Sequence, residues 1–164
     1  NLMGYSMGAH LALGLALRQS ERIGHLILGG VGARAIDGAG PFAKAGMTMA
    51  QAMRVDDADS IADPNLRGFR RFADQQGDDR LALAACSEGH GRAVTADDLA
   101  GIRAPTLVVA GSLDDIAGDP QRLADAIPGA KCVSLPACDH FTAIPHALFK
   151  AAVFDFLEGW LDEM

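Results

Sequence analysis

The chain has 164 residues, of which 49% are hydrophobic and 21% are charged, and its formal net charge is −7. This length corresponds to about one globular domain with a sizeable core, and the negative charge argues against nucleic acid or an anionic membrane surface as a partner. No apolar run approaches the roughly 18 residues of a membrane-spanning helix. The three cysteines, Cys86, Cys132 and Cys138, are odd in number and lack C-x-x-C spacing, which predicts reduced thiols in a cytoplasmic protein.

The stretch Gly4–Gly8 has the sequence GYSMG and fits the pattern G-x-S-x-G, which is typical of a nucleophile elbow. In such an elbow a serine, here Ser6, lies on a strained turn between a strand and a helix, and the turn holds its hydroxyl clear of the sheet. We expect glycine at both positions 4 and 8 because backbones approach closely there and a Cβ atom would clash. The alternative is a glycine-rich turn whose serine has no chemical role.

The position of this motif predicts that the chain is the C-terminal portion of a longer protein. The chain begins at Asn1 rather than at a methionine, and only a few residues precede Gly4. A doubly wound sheet has other strands before its nucleophile turn. We therefore expect only part of such a sheet in these 164 residues.

The residues after the turn predict a helix and then a strand. Apolar residues occupy almost every face of the helical pattern over 7–19, which indicates a helix buried under a sheet. The apolar run at 25–30 is short and is closed by two glycines, as expected for a central parallel strand.

Residues 35–100 have a different character, because strand-like runs vanish while charge and alanine content rise. The helical patterns in this segment lie near residues 41–54, 64–75 and 78–86. Thr95 is a candidate helix N-cap, with Asp98 three residues further on. Arg70 and Arg71 are expected on a solvated face. We interpret 35–100 as an insertion of small helices rather than as another sheet unit.

Regular alternation returns in the last third of the chain. The predicted elements are a buried strand over 104–111, a helix that begins at Asp119-Pro120, a strand over 131–135 and a final helix over 145–160. The whole pattern predicts an α/β fold with a partial, doubly wound and mostly parallel sheet. Its organisation is a core segment 1–34, a helical insertion 35–100 and a second core segment 101–164.

Three polar loops are expected to meet at one edge of this sheet, because the carboxyl ends of parallel strands lie together. The first carries Ser6, the loop after the strand at 104–111 carries Asp114 and Asp115, and the loop after the last strand carries His140. A serine hydroxyl needs a base within hydrogen-bond reach, and a histidine base needs a carboxylate on its other nitrogen. Either aspartate can serve as that carboxylate at this point.

The remaining candidates are expected to have structural roles. Asp139 is interpreted as a loop residue, and the other histidines as local or surface residues: His10, His25, His90 and His146. No second histidine or cysteine pair stands at metal-ligand spacing, so we expect no metal. The glycine-rich stretch Gly29–Gly32 follows a strand but lacks the full order G-x-G-x-x-G, and we therefore expect no dinucleotide or other cofactor.

On these residues the sequence resembles the α/β-hydrolase family of serine esterases and related hydrolases, over nearly its whole length. The matching stretches are Gly4–Gly8, Pro105–Asp115 and Leu135–Phe141. The resemblance implies the C-terminal part of an α/β-hydrolase fold, with residues 35–100 as a helical cap. Methionines and phenylalanines of that segment either line an acyl pocket or, as we favour, pack its helices together (Met47, Met49, Met53, Phe42, Phe69 and Phe72).

The resemblance also implies roles for individual residues. Ser6 looks like the nucleophile, His140 like the general base and Asp114 like its orienting carboxylate, since Asp114 stands three residues after Gly111. The backbone N–H of Met7 looks like one oxyanion donor. The family's other donor comes from a loop after an early strand that this sequence does not contain, so we expect the 164-residue chain alone to be inactive and poorly soluble.

The function that the resemblance implies is hydrolysis of a small carboxylic ester or related acyl compound through an acyl-enzyme. The expected partner is a small-molecule substrate, with a homodimer left open. Two alternatives remain. One is another reaction of this family, such as that of a lactonase, a C–C hydrolase or a cofactor-free haloperoxidase. The other is a binding protein that keeps the hydrolase core without catalysis.

Overall fold

The fold is described from a computed structural model that covers residues 1–37, 42, 45–89 and 94–162. The chain forms two compact units, one made of Asn1–Pro41 with Ala93–Met164 and the other of Phe42–Arg92. The predicted boundaries at residues 34 and 100 remain predictions. The predicted loop at 89–91 lies largely outside the described residues.

The first unit contains a parallel sheet with helices beside it. Within the described residues its strands are β1 (Leu2–Tyr5), β2 (Leu26–Gly29), β3 (Thr106–Gly111) and β4 (Lys131–Leu135). They lie in the order β1-β2-β3-β4, and every neighbouring pair is parallel. The helices of this unit are α1 (Met7–Gln19), α5 (Ala96–Leu99), α6 (Pro120–Asp125) and α7 (Ala147–Leu157). The predicted α/β fold with a parallel sheet is confirmed. The labels α2 to α4 belong to the second unit.

The two central strands are buried on both faces, which explains their continuous apolar sequences. Successive side chains of a strand point to opposite faces. Leu28 and Val108 therefore belong to one core cluster, which packs under α1 and α6, while Ile27 and Val109 belong to the other, which packs under α7. Helix α1 approaches the sheet through small residues, because Ala9, Ala12 and Ala16 lie on its buried side.

The second unit is helical among its described residues, with α2 (Met49–Arg54), α3 (Pro64–Gln76) and α4 (Arg80–Glu88). The predicted helix near 41–54 is too long, because the Thr48 and Gln51 side chains form a capping box that begins α2 at Met49. Five of the six expected methionines and phenylalanines lie in the apolar clusters of this unit: Met47, Met49, Met53, Phe42 and Phe69. Phe72 is exposed.

The prediction that Arg70 lies on a solvated face is wrong. The residue is only 3% exposed, and its guanidinium donates to the carbonyl oxygen of Val55 at 2.5 Å and to Asp74 at 3.2 Å. Val55 follows the last residue of α2. Arg70 therefore supplies a hydrogen-bond partner for the end of that helix, and burial of the charge is compensated by these contacts.

Most other predicted element boundaries agree with the structure to within about two residues. Helix α1 spans residues 7–19 as expected, and Thr95 caps α5 through a capping box with Asp98. The final helix ends earlier than residue 160, since Gly159 has a φ of 82° and a short 3₁₀ turn follows. All three cysteines are free. In the part of the chain that the structure covers, no helix is long and apolar enough to cross a membrane.

Candidate active site

Ser6 lies on the tight turn between β1 and α1 with φ 52° and ψ −116°. This backbone conformation is unfavourable for a residue that has a Cβ atom. Hydrogen bonds hold the turn on both sides. The Ser6 N–H donates to the carbonyl of Gly29 on β2 at 2.8 Å, and the Ser6 carbonyl accepts from the N–H groups of Ala9 and His10 on α1. The strained residue is thus held between the sheet and the first turn of the helix.

The two glycines of the motif differ in what the turn requires of them. A Cβ atom on Gly4 would overlap the carbonyl group of Gly8, so the predicted close approach is correct at position 4. Apart from its chain neighbours and the backbone of its own helix, a Cβ atom on Gly8 would meet no described atom within 4 Å. The expectation that both glycines prevent a backbone clash is therefore wrong for Gly8.

Asp114 lies in the loop after β3, and its side chain is nearly inaccessible to solvent. One carboxylate oxygen, Oδ1, accepts hydrogen bonds from the backbone N–H groups of Ile116 at 3.1 Å and Ala117 at 2.9 Å. The other, Oδ2, lies 2.8 Å from Nδ1 of His140. The local turn therefore fixes the plane of the carboxylate and leaves one oxygen for the imidazole.

The imidazole of His140 is 3% exposed and makes a second hydrogen bond, with Nε2 lying 2.8 Å from Oγ of Ser6. Because both oxygens of Asp114 act as acceptors, Nδ1 carries a proton and Nε2 is left to accept from the serine hydroxyl. We call these three side chains the Ser–His–Asp array. Asp115 is exposed and does not contact the imidazole; its backbone carbonyl accepts from Arg34 Nε at 2.6 Å.

Several hydrogen bonds join the loop of Asp114 to the loop of His140. The Leu113 N–H donates to the carbonyl of Cys138 at 2.9 Å, and the Ala137 N–H donates to the hydroxyl of Ser112, also at 2.9 Å. These contacts lie within three residues of the array on both loops. The distance between Asp114 and His140 is therefore set by the backbone as well as by their own hydrogen bond.

Asp139 shapes the turn that presents His140, in agreement with its predicted role as a loop residue. Its Oδ1 accepts from the N–H groups of Phe141 at 3.0 Å and Thr142 at 2.8 Å, and from the Thr142 hydroxyl at 2.7 Å. Hydrogen bonds from Thr142 are the largest influence that lowers the pKa of the Asp139 carboxyl below its usual value. The carboxylate form is thus the one that stabilises this turn.

Tyr5 contacts His140, and the sequence analysis did not identify it. The Tyr5 hydroxyl donates to the backbone carbonyl of His140 at 2.6 Å, and burial is the main cause that raises the pKa of this hydroxyl. Cβ atoms on Gly29 and Gly30 would lie 2.7 and 2.6 Å from the Tyr5 ring. The glycine-rich end of β2, considered above as a dinucleotide-binding signal, makes room for Tyr5. These glycines were the sequence signal that could have pointed to Tyr5.

The backbone N–H of Met7 stands at the first helical position of α1. The first N–H groups of a helix have no partner within the helix, and the residue after an elbow serine commonly supplies an oxyanion donor. This assignment stays a prediction.

Three of the other four histidines are among the described residues. His25 contacts Asn1 and the ring of Phe156, His146 caps α7, and His10 is exposed on α1. His90 lies outside the described residues. Within the described ranges, no group of three or more His, Cys, Asp or Glu side chains could hold a metal ion.

Comparison with known proteins identifies the family. The model of the alpha/beta hydrolase family matches residues 1–152. The chain belongs to the alpha/beta hydrolase family. No curated protein sequence matches it.

Solved structures include alpha/beta hydrolases that superpose on nearly all of this chain. A hydrolase from Pseudomonas aeruginosa is 27% identical, with a TM-score of 0.70 over 94% of this chain and 63% of its own. The enol-lactonase from Burkholderia xenovorans is also 27% identical, with a TM-score of 0.68 over 95% of this chain and 64% of its own. A meta-cleavage product hydrolase from Pseudomonas fluorescens is 22% identical, with a TM-score of 0.57 over 96% and 64%; this likeness shows the fold alone. The chain thus spans somewhat less than two thirds of each.

Proposed function

We propose that the protein is a serine hydrolase that cleaves a small carboxylic ester or related acyl compound through an acyl-enzyme. The observation that carries this proposal is the pair of 2.8 Å hydrogen bonds that link Ser6 Oγ, His140 and Asp114 in a row. The partner of such a site is a small molecule with an activated carbonyl. Membership of the alpha/beta hydrolase family supports hydrolysis but does not fix the substrate.

In the first step Ser6 Oγ attacks the carbonyl carbon of the ester while its proton moves to His140 Nε2. The carbonyl oxygen becomes an oxyanion, toward which the Met7 N–H would donate. One such donor is typically worth about 3 kcal/mol of transition-state stabilisation. The bond to the leaving oxygen then breaks, and Nε2 returns the proton to that oxygen. Ser6 is left acylated and the alcohol departs.

In the second step His140 Nε2 takes a proton from water, whose oxygen attacks the acyl carbon. The bond between that carbon and Ser6 Oγ then breaks, and the proton on Nε2 goes to Oγ. The carboxylic acid leaves, and the array regains its starting protonation. Throughout, the negative charge of Asp114 stabilises the transient imidazolium and holds the ring in the required tautomer.

A lactone is the second candidate substrate class, because a solved relative with 27% identity is an enol-lactonase. The same steps apply to a cyclic ester, in which the leaving oxygen stays attached to the acyl group. The two candidates are distinguished by comparing kcat/KM for an activated ester, such as p-nitrophenyl acetate, with kcat/KM for an enol-lactone.

Reaction with a fluorophosphonate tests the proposal without knowledge of the substrate. We expect the whole protein, rather than the 164-residue chain alone, to form a covalent adduct on Ser6, located by peptide mass spectrometry, and the Ser6→Ala variant to form none. Ser134→Ala, which removes an exposed hydroxyl on β4, is the matched control and should label at the original rate. A folded protein that does not label at Ser6 would contradict the proposal and favour a binding protein that kept only the hydrolase core.

A further inference from the structure

Tyr5 and Ser6 are neighbours in the chain, and both contact His140. Ser6 reaches the imidazole at Nε2, whereas the Tyr5 hydroxyl reaches the backbone carbonyl of the same histidine at 2.6 Å. These contacts join residues that are more than 130 positions apart in the sequence. The elbow therefore holds His140 at two points, one on the side chain and one on the main chain.

The ring of Tyr5 adds a third point of contact. Its centroid lies 5.4 Å from that of the His140 imidazole at an interplanar angle of 48°, and it also packs edge-on against Phe149, with ring centroids 5.8 Å apart. Phe149 belongs to the buried core under α7. Tyr5 is thus fixed by the core and in turn limits the tilt of the imidazole.

The end of β2 is shaped to admit this side chain. Gly29 lies beside Tyr5 in the sheet register, and Gly30 has a φ of 62°. Any side chain at either residue would occupy the volume of the Tyr5 ring. Burial and the nearby carboxylates of Asp114 and Asp139 also keep the phenol protonated, so that it acts as a donor.

We propose that Tyr5 is a positioning residue for His140: its hydroxyl fixes the backbone of the histidine, and its ring fixes the imidazole, so that Nε2 stays within reach of Ser6. The inference rests on the proposed function for its catalytic consequence. Its structural consequence is a stable hydrogen bond between His140 and Asp114, and the stability of this bond can be measured in the absence of any substrate.

The test uses Tyr5→Phe, which keeps the ring and removes the hydroxyl. Thr106→Val is the matched control, since the Thr106 hydroxyl also donates to a backbone carbonyl, that of Ala104 at 2.8 Å. Thr106 begins β3, at the end of the strand opposite to the loop of Asp114. Both variants lose one hydrogen bond to a backbone carbonyl, but only one of these bonds involves His140.

Two measurements separate positioning from general stability. The first is the rate at which the His140 Nδ1 proton exchanges with solvent, observed by NMR as a downfield resonance. Loss of this resonance in the Asp114→Asn variant identifies it. The second is the fluorophosphonate labelling rate across a pH series. For Tyr5→Phe we expect faster proton exchange, labelling slower by about fivefold and a shifted pH midpoint. Thr106→Val should match the original protein in both.

Either of two results overturns the inference. One is a Tyr5→Phe variant that keeps the original exchange rate and pH profile. The other is a Thr106→Val variant that is impaired as strongly as Tyr5→Phe. If the original protein does not label at all, the proposed function fails, but the exchange measurement still decides whether Tyr5 positions His140.

Discussion

Gly111 lies directly against the backbone of Cys138, and a Cβ atom on Gly111 would overlap the carbonyl group of that cysteine. This contact brings the loop of Asp114 and the loop of His140 together at the end of β3. Glycine is thus required at residue 111 by a neighbour 27 positions away, because the backbone of that neighbour cannot yield as a flexible side chain could.

Gly111→Ala is expected to lower the free energy of unfolding by about 1–3 kcal/mol, the usual range for forced overpacking. Gly14→Ala is the matched control, because Gly14 lies inside α1 and a Cβ atom there would meet no described atom outside the backbone of its own helix within 4 Å. Alanine at that position should stabilise the helix by about 0.5–1 kcal/mol. Chemical denaturation measures both. Equal changes in the two variants would contradict the assigned contact.

Ser6→Gly is expected to be more stable than Ser6→Ala by about 1–2 kcal/mol. Both variants lose the hydroxyl and its hydrogen bond to His140, so this loss cancels in the comparison. Only alanine keeps a Cβ atom at a φ of 52° and ψ of −116°. Thermal unfolding of the two variants measures the strain of the elbow, and a lower midpoint for glycine would show that the turn is not strained.

Asp114→Asn is expected to slow fluorophosphonate labelling by about 10⁴-fold, and Asp115→Asn by no more than about twofold. The reason is the commitment of Oδ1 to two backbone N–H donors. An amide at residue 114 must keep its oxygen there and turn its NH₂ group toward His140 Nδ1. The imidazole proton then moves to Nε2, which can no longer accept from Ser6. A larger effect at Asp115 would contradict the assignment of the carboxylate.

Asp139 is expected to stabilise the turn before His140 in a pH-dependent manner. Because hydrogen bonds lower the pKa of its carboxyl in the folded state, its contribution is complete above the unfolded value of about 3.9 and is lost as the pH falls through the folded value. The stability difference between the original protein and Asp139→Asn should be below about 1 kcal/mol at pH 7, since the group is exposed, and should vanish at low pH.

Urea unfolding between about pH 2.5 and pH 7 measures this difference. Thr142→Val removes the hydroxyl that donates to Asp139 and should reduce the same pH dependence. A difference between the original protein and Asp139→Asn that stays constant over the whole range would contradict the argument.

Much of the fold was predictable because its signals are local. Helix α1 and strands β2 to β4 show their apolar patterns within short stretches of sequence. Thr95 likewise forms its capping box with a residue only three positions away. The start of α2 was missed by about eight residues, since apolar composition before Met49 resembles a helix while the Thr48 cap decides where the helix begins.

The sequence by itself determined the order of strands and helices along the chain, the elbow at Ser6 and the loops that carry Asp114 and His140. Apolar patterns and glycines mark these elements, and the loops are expected to meet because the carboxyl ends of parallel strands lie at the same edge of a sheet. Only the tertiary structure decided which of two adjacent aspartates faces the imidazole, that Arg70 is buried, and that Tyr5 contacts His140 through the space left by Gly29 and Gly30. Each of these depends on contacts between residues that are well separated in the chain, so a local pattern can at most show that space is available, as Gly29 and Gly30 do for Tyr5.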